Sequence, residues 1–246
     1  MTAPVFVVDH FDAGGGGRYV LDGPEGRHAV SVKRLRAGED VVLTDGAGRW
    51  ADCVVLGTEG KDSLIVQLDS VTEEPPEEPR LTVVQALPKG DRGEVAVETM
   101  TEVGVDVIVP WAASRCITQW KGERGLKSLG KWRATAREAG KQSRRVRFPR
   151  VADAATSKRV ASLLAEADFA AVLHESATEF LATVELPTSG DIVLVVGPEG
   201  GVSPEELALF EEAGARAVRL GPSVLRTSTA GTAAAALLLG RTGRWS

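Results

Sequence analysis

Two short glycine-bearing segments near the C-terminus hold the residue types best suited to binding chemistry. Gly197-Pro198-Glu199-Gly200-Gly201 follows the apolar run Ile192 to Val196, and Leu220-Gly221-Pro222-Ser223-Val224-Leu225-Arg226-Thr227 follows Ala217-Val218. Glycines let the backbone approach a flat ligand closely and leave amides and carbonyls bare. That mix of donors and acceptors suits a heteroaromatic edge such as adenine. Neither segment is a Walker-type phosphate cradle, since no Gly-Lys-Ser/Thr follows, and neither satisfies Gly-x-Gly-x-x-Gly. Taken alone, the first could equally be a tight turn before a helix; the pairing with the second favours a binding site.

Positioning such loops calls for strands behind them. Each segment reads as the carboxyl end of a buried strand, and the first enters a helix with Ser203 as N-cap, Pro204 at the first helical position and Glu205 and Glu206 in the first turn. Ligands of open α/β sheets bind outside the carboxyl ends of strands, so two such ends imply one shared pocket. Upstream, strands (Leu81–Leu87, Val105–Pro110, Ala170–Leu173) alternate with helices (Arg92–Val103, Leu126–Ser143, Ser157–Glu166), which predicts an α/β domain closed by a small-residue helix from about Ser228. Short alternating runs before residue 69, broken by turns such as Asp45-Gly46-Ala47-Gly48, predict a small β-barrel or sandwich with one helix over Glu25–Leu35. Between the two lies Glu73-Glu74-Pro75-Pro76-Glu77-Glu78-Pro79, a stiff, exposed connector by composition.

Composition narrows the function classes. The longest apolar stretch, Ala233 to Leu239, is too short to span a bilayer, and Met1-Thr2-Ala3-Pro4 lacks a secretory pattern, so a cytoplasmic location is expected. Cys53 and Cys116 lie far apart and His10, His28 and His174 are scattered, which predicts buried reduced thiols and no metal. The net charge of -5 hides a strongly basic stretch. Between Arg115 and Arg150 twelve basic residues face only Glu123 and Glu138, so a polyanion would meet a locally positive field. On the predicted Leu126–Ser143 helix, Arg133, Arg137, Lys141 and Arg144 share one side, opposite Leu129, Trp132, Ala136 and Ala139.

The two loops resemble those of the SPOUT superfamily of RNA methyltransferases. The whole chain is similar to the bacterial 16S ribosomal RNA uridine N3-methyltransferase family, through Glu25-Gly26-Arg27-His28-Ala29-Val30, Lys33-Arg34-Leu35-Arg36-Ala37-Gly38, Asp45-Gly46-Ala47-Gly48 and Gln85-Ala86-Leu87-Pro88-Lys89-Gly90-Asp91-Arg92. Thr101-Glu102-Val103-Gly104-Val105, Ser114-Arg115-Cys116, Trp132, Glu138-Ala139, Gln142-Ser143-Arg144-Arg145 and His174-Glu175 continue the likeness. The resemblance implies a PUA-like RNA-binding β-barrel over 1–72, a Pro/Glu linker over 73–79, and a trefoil-knotted SPOUT methyltransferase domain over 80–246 that forms a homodimer. It implies S-adenosyl-L-methionine as cofactor, held mainly by backbone. The residues concerned are Leu173, His174, Glu175, Gly197, Pro198, Glu199, Gly200, Gly201, Leu220, Gly221, Val224, Leu225, Arg226 and Thr227. The implied partner is 16S ribosomal RNA, in the 30S subunit.

Uridine N3 carries a proton and is a poor nucleophile until that proton leaves. Arg226 is the candidate for stabilising charge spread over O2, N3 and O4, and Glu199 the candidate acceptor. The competing readings are an Arg226 ion pair with Glu199 or a partner subunit, and a Glu199 carboxylate that fixes its loop by accepting backbone amides. Many relatives place an acidic residue after Arg-Thr where this chain has Ser228, which could instead serve as N-cap of the last helix. RNA contacts are expected from Arg18, Arg27, His28, Lys33, Arg34 and Arg36 on the barrel, and from Lys89, Arg92, Arg144 and Arg145. A SPOUT enzyme acting on a tRNA base or a ribose 2′-hydroxyl, and a non-catalytic RNA-binding assembly factor, are the alternatives.

Overall fold

The computed structural model describes residues 3–11 and 17–245. The outer limits of the two expected domains, Met1 and Ser246, lie outside the described residues. Two compact units emerge: residues up to Pro76 together with Gly140–Phe148, and Glu77–Ala139 together with Pro149 onward.

The first unit is a five-stranded sheet of β1 (Val5–Val7), β2 (Gly17–Leu21), β3 (Asp40–Thr44), β4 (Arg49–Glu59) and β5 (Ser63–Glu73) in the order β1-β3-β4-β5-β2. Only the β1–β3 pair is parallel. Alternation fills its core: Val41 and Leu43, then Ala51, Cys53 and Val55, then Leu64, Val66 and Leu68 point to one interior. β5 runs on through Glu73, so the strand reaches into the expected linker. The predicted Glu25–Leu35 helix is instead α1 (Gly23–Arg27), opened by Pro24, followed by a π-helical turn over His28–Val32. β-branched Val30 and Val32 disfavour regular continuation, and Arg34 ends the segment at φ 57.

Gly140–Phe148 packs on the Asp45–Gly48 turn. Gly48 N–H donates to the Val146 carbonyl at 3.1 Å, Phe148 N–H to the Gly46 carbonyl at 2.8 Å, and the Thr44 hydroxyl to the Val146 carbonyl at 2.9 Å. A Cβ on Gly46 would lie 2.8 Å from the Phe148 ring, so glycine is needed there for close approach.

The second unit is a seven-stranded, all-parallel sheet. Its strands are β6 (Arg80–Ala86), β7 (Val107–Trp111), β8 (Arg150–Val151), β9 (Phe169–Leu173), β10 (Glu179–Phe180), β11 (Asp191–Val196) and β12 (Arg216–Arg219), in the order β10-β12-β9-β11-β6-β7-β8. Strands buried on both faces of a parallel sheet read as continuous apolar runs, and Ile192–Val196 is one. Its helices are α2 (Arg92–Val103), most of α3 (Gly122–Gln142), α4 (Ser157–Ala165), α5 (Pro204–Glu212) and α6 (Thr227–Arg241). Gly104 closes α2 in the left-handed region at φ 106. At α5, Ser203 and Glu206 form the full capping box. No helix among the described residues is long and apolar enough to cross a membrane.

Candidate active-site cleft

Strands β12, β9, β11, β6 and β7 are consecutive neighbours in the second unit's sheet, and loops after their carboxyl ends line one cleft of about 990 Å³. A volume of that order accommodates a cofactor-sized molecule. Leu173-His174-Glu175 form one wall, Gly197–Gly201 a second and Leu220–Thr227 a third, so all fourteen residues expected to contact cofactor face the same space. Lys89 and Arg92, expected to contact RNA, line it too.

The walls are held by hydrogen bonds that leave most loop backbone available. The Gly197–Gly201 turn closes through Gly201 N–H to the Pro198 carbonyl at 2.9 Å, with Gly201 at φ 72. Arg115 donates to the Gly200 carbonyl at 3.1 Å, and a Cβ on Gly200 would come within 3.1 Å of the Arg115 Cβ. His174 N–H donates to the Val218 carbonyl at 2.9 Å, while its Nδ1 accepts from Ser176 N–H at 3.3 Å. The Thr227 hydroxyl donates to the Gly197 carbonyl at 2.7 Å and thereby joins the second and third walls.

Glu199 accepts the Lys89 N–H at 3.1 Å through Oε1, so it does tie its loop to a backbone amide. Its Oε2 takes no hydrogen bond among the described residues. Arg226 is exposed and makes no ion pair among the described residues, with Glu199 or otherwise. Its backbone caps α6: the Thr229 and Ala230 amides both donate to its carbonyl at 2.9 Å. Ser228 is therefore not the N-cap. The helix already begins at Thr227, and Ser228 is buried in its first turn.

Glu206, in the first turn of α5, is nearly inaccessible to solvent. It accepts from Ser114 N–H at 2.8 Å, Ser114 Oγ at 2.9 Å, Ser157 Oγ at 2.8 Å and Ser203 N–H at 3.3 Å. Burial pushes its carboxyl up, but these donors outweigh that and hold it below the ordinary glutamate value. The Ser114 contacts fix the segment from which Arg115 reaches Gly200. Sequence reasoning did not single out Arg115, Ile117 or Arg219 as site residues, although all three line the cleft. Their signal is position after β7 and at the end of β12. Arg219 lies over the Phe180 ring at 4.2 Å.

The remaining RNA candidates fall in the first unit. Arg27 and His28 line a shallow pocket of about 480 Å³ with Pro24, Val32 and Asp62. Lys33, Arg34 and Arg36 are exposed, Arg18 is paired with Glu59 at 3.4 Å, Arg144 is exposed at φ 59, and Arg145 is half-buried. The expected one-sided basic stripe of α3 is not an open surface throughout. Lys141 is buried in a 2.9 Å ion pair with Glu25, and Arg133 pairs with Asp153 at 2.9 Å. Cys53 and Cys116 are buried and free, and burial raises both thiols, Cys53 to about 12, so neither is a ready nucleophile.

A family model described as an RNA methyltransferase domain matches residues 76–239, and one described as an RNA methyltransferase PUA domain matches 21–69. The chain is 46% identical to the ribosomal RNA small subunit methyltransferase E of Mycobacterium bovis, covering 100% of this chain and 94% of that relative. It is 30% identical to the Bacillus subtilis protein of the same name, with 86% of each covered. The crystal structure of the corresponding Neisseria gonorrhoeae protein, bound to S-adenosyl methionine, superposes with a TM-score of 0.85 at 27% identity over 98% of both chains. Matched along its full length by relatives of one kind, and carrying both of their domains, the chain belongs to the ribosomal RNA small subunit methyltransferase E family.

Proposed function

We propose that the protein transfers a methyl group from S-adenosyl-L-methionine to N3 of a uridine in 16S ribosomal RNA. The observation that carries this reading is the convergence of the three glycine and apolar loops, with Lys89, Arg92 and Arg226, on one cleft. S-adenosyl-L-methionine supplies an electrophilic methyl on a sulfonium, so the protein's main task is to hold a nucleophile in line. The cleft fits that molecule. Gly197, Gly200 and Gly201 present backbone to a flat purine, and a side chain at Gly200 would press on Arg115.

Arg226, exposed and without an ion pair among the described residues, lines the cleft and can hold negative charge on O2 and O4 once N3 is deprotonated. Glu199 keeps Oε2 available for the N3 proton while Oε1 anchors Lys89 N–H. Lys89, Arg92 and Arg115 add positive charge at the mouth, suited to RNA phosphates. The barrel cations Arg27, His28, Lys33, Arg34 and Arg36 extend phosphate binding, which positions the RNA without reading its sequence. In the same reading the second domain is knotted through its cofactor loops and forms a homodimer. The domains divide at the Pro/Glu linker, and the substrate is the 30S particle.

Incubation of the pure protein with methyl-labelled cofactor and either naked 16S RNA or assembled 30S subunits tests this. Nucleoside mass spectrometry should find N3-methyluridine, with the 30S particle the better substrate. A ribose or non-uridine product would move the protein to another SPOUT activity. Absence of cofactor binding, with RNA present, would leave only an assembly role.

A further inference from the structure

A buried amide lies directly beneath the cleft. Gln85, at the end of β6, is fully buried, and its Nε2 donates to the Ala86 carbonyl and to Thr227 Oγ1, each at 3.0 Å. A carbonyl can only accept, so the amide group facing Ala86 must be the NH2. That assignment sets the direction of everything above it. Thr227 Oγ1 accepts from Gln85, and its single proton is directed to the Gly197 carbonyl at 2.7 Å. The Gln85 Oε1 is left without a hydrogen-bond partner among the described residues. It points toward Gly231, where an added Cβ would stand 3.4 Å from it and 2.9 Å from the Met100 sulfur. Leaving a buried carbonyl unsatisfied is costly, and the arrangement persists because the NH2 face is committed twice.

We infer that Gln85 and Thr227 are positioning residues: a one-way relay, Gln85 N–H to Thr227 O–H to Gly197 C=O, sets the spacing between the two glycine-bearing walls of the cleft. The relay joins β6, the first turn of α6 and the end of β11, three segments distant in sequence and brought together only by the fold. It also occupies the Thr227 hydroxyl, whose proton is spent on Gly197. The Thr227 side chain therefore acts on the ligand through the loop rather than by donating to it. This inference rests on the proposed cofactor reading of the cleft.

The test is a double-mutant cycle on the full-length protein, with S-adenosyl-L-methionine affinity measured by calorimetry and thermal unfolding recorded without ligand. Thr227→Val removes the hydroxyl at nearly constant shape, and Gln85→Leu removes the donor without touching the cleft lining. Each single change should weaken cofactor binding about tenfold or more, from loss of one buried hydrogen bond and its unpaired partner. The double change should lose little more than either, and Thr227→Ser should restore near-native affinity. Should Gln85→Leu fail to fold, Thr227→Ala against Thr227→Ser carries the comparison, because only the hydroxyl distinguishes them in the relay. Native affinity in Thr227→Val overturns the relay, as does a loss confined to Thr227 variants while Gln85→Leu binds normally, which would make the hydroxyl a direct ligand. If the unaltered protein itself does not bind the cofactor, the reading of the cleft fails instead.

Discussion

Arg226 and Lys141 are both cations near helix ends, yet the fold puts them to opposite uses. Arg226 stands at the start of α6 beside an open cleft, exposed and without an ion pair among the described residues. Lys141 stands in the last turn of α3 and is consumed by Glu25, with side-chain exposures of 8% and 14%. A cation on a strand-end loop projects past the sheet edge, where a ligand can reach it. A cation on the second side of an amphipathic helix stays solvated only if nothing covers that side. Gly140–Phe148 groups with the first unit, and there Lys141 becomes interior, while Arg133 and Arg137 on the same side of α3 stay exposed.

The comparison breaks most visibly at the glycine loop. Gly201→Val places a β-branched residue at φ 72, a region L side chains rarely adopt, beside the proposed purine. Cofactor binding should fall below detection by calorimetry, and an unchanged affinity would remove the cleft half of the contrast. Next in size is Lys141→Met, which removes the ammonium paired with the largely buried Glu25 carboxylate. Urea unfolding should show a loss of about 3–5 kcal/mol, the scale for breaking a buried pair from one side. A loss near zero would mean that Lys141 is a surface cation after all.

Arg226→Ala should leave the fold intact and lower turnover by about a hundredfold, the scale for removing one charge-stabilising donor. Its cofactor affinity should change little. Equal losses in turnover and affinity would point instead to a structural pairing. The smallest effect belongs to Glu206→Gln, which weakens the anchor of Ser114 by about 1–3 kcal/mol. The folded Glu206 carboxyl sits below its ordinary value of 4.5, so its contribution is full above that value and is lost as pH falls through the lower folded one. The variant should flatten that acid limb of the stability curve measured by thermal unfolding.

The chain order displays the cleft better than it displays the barrel surface. Glycines, a Ser203 cap and the apolar run Ile192–Val196 are local signals, and they locate Gly197–Gly201 without knowledge of any distant contact. Arg115 and Gln85 could not be found that way. Arg115 matters because Glu206 fixes Ser114, ninety-two positions away in sequence, and Gln85 because Thr227 folds back over it across one hundred and forty-two. The two-residue strands β8 and β10 leave no periodicity to read. Near Glu25, a proline start and β-branched residues replaced one long helix by a short α-helix and a π-turn. Charge alone was the weakest guide, since Lys141 and Arg226 look alike until burial separates them.

Hydrogen exchange on the intact protein, with and without saturating S-adenosyl-L-methionine, tests the central claim most directly. The account predicts binding, with new amide protection concentrated in residues 173–175, 197–201 and 220–227 and none in 23–32. Absence of binding, or protection confined to the barrel, would contradict it.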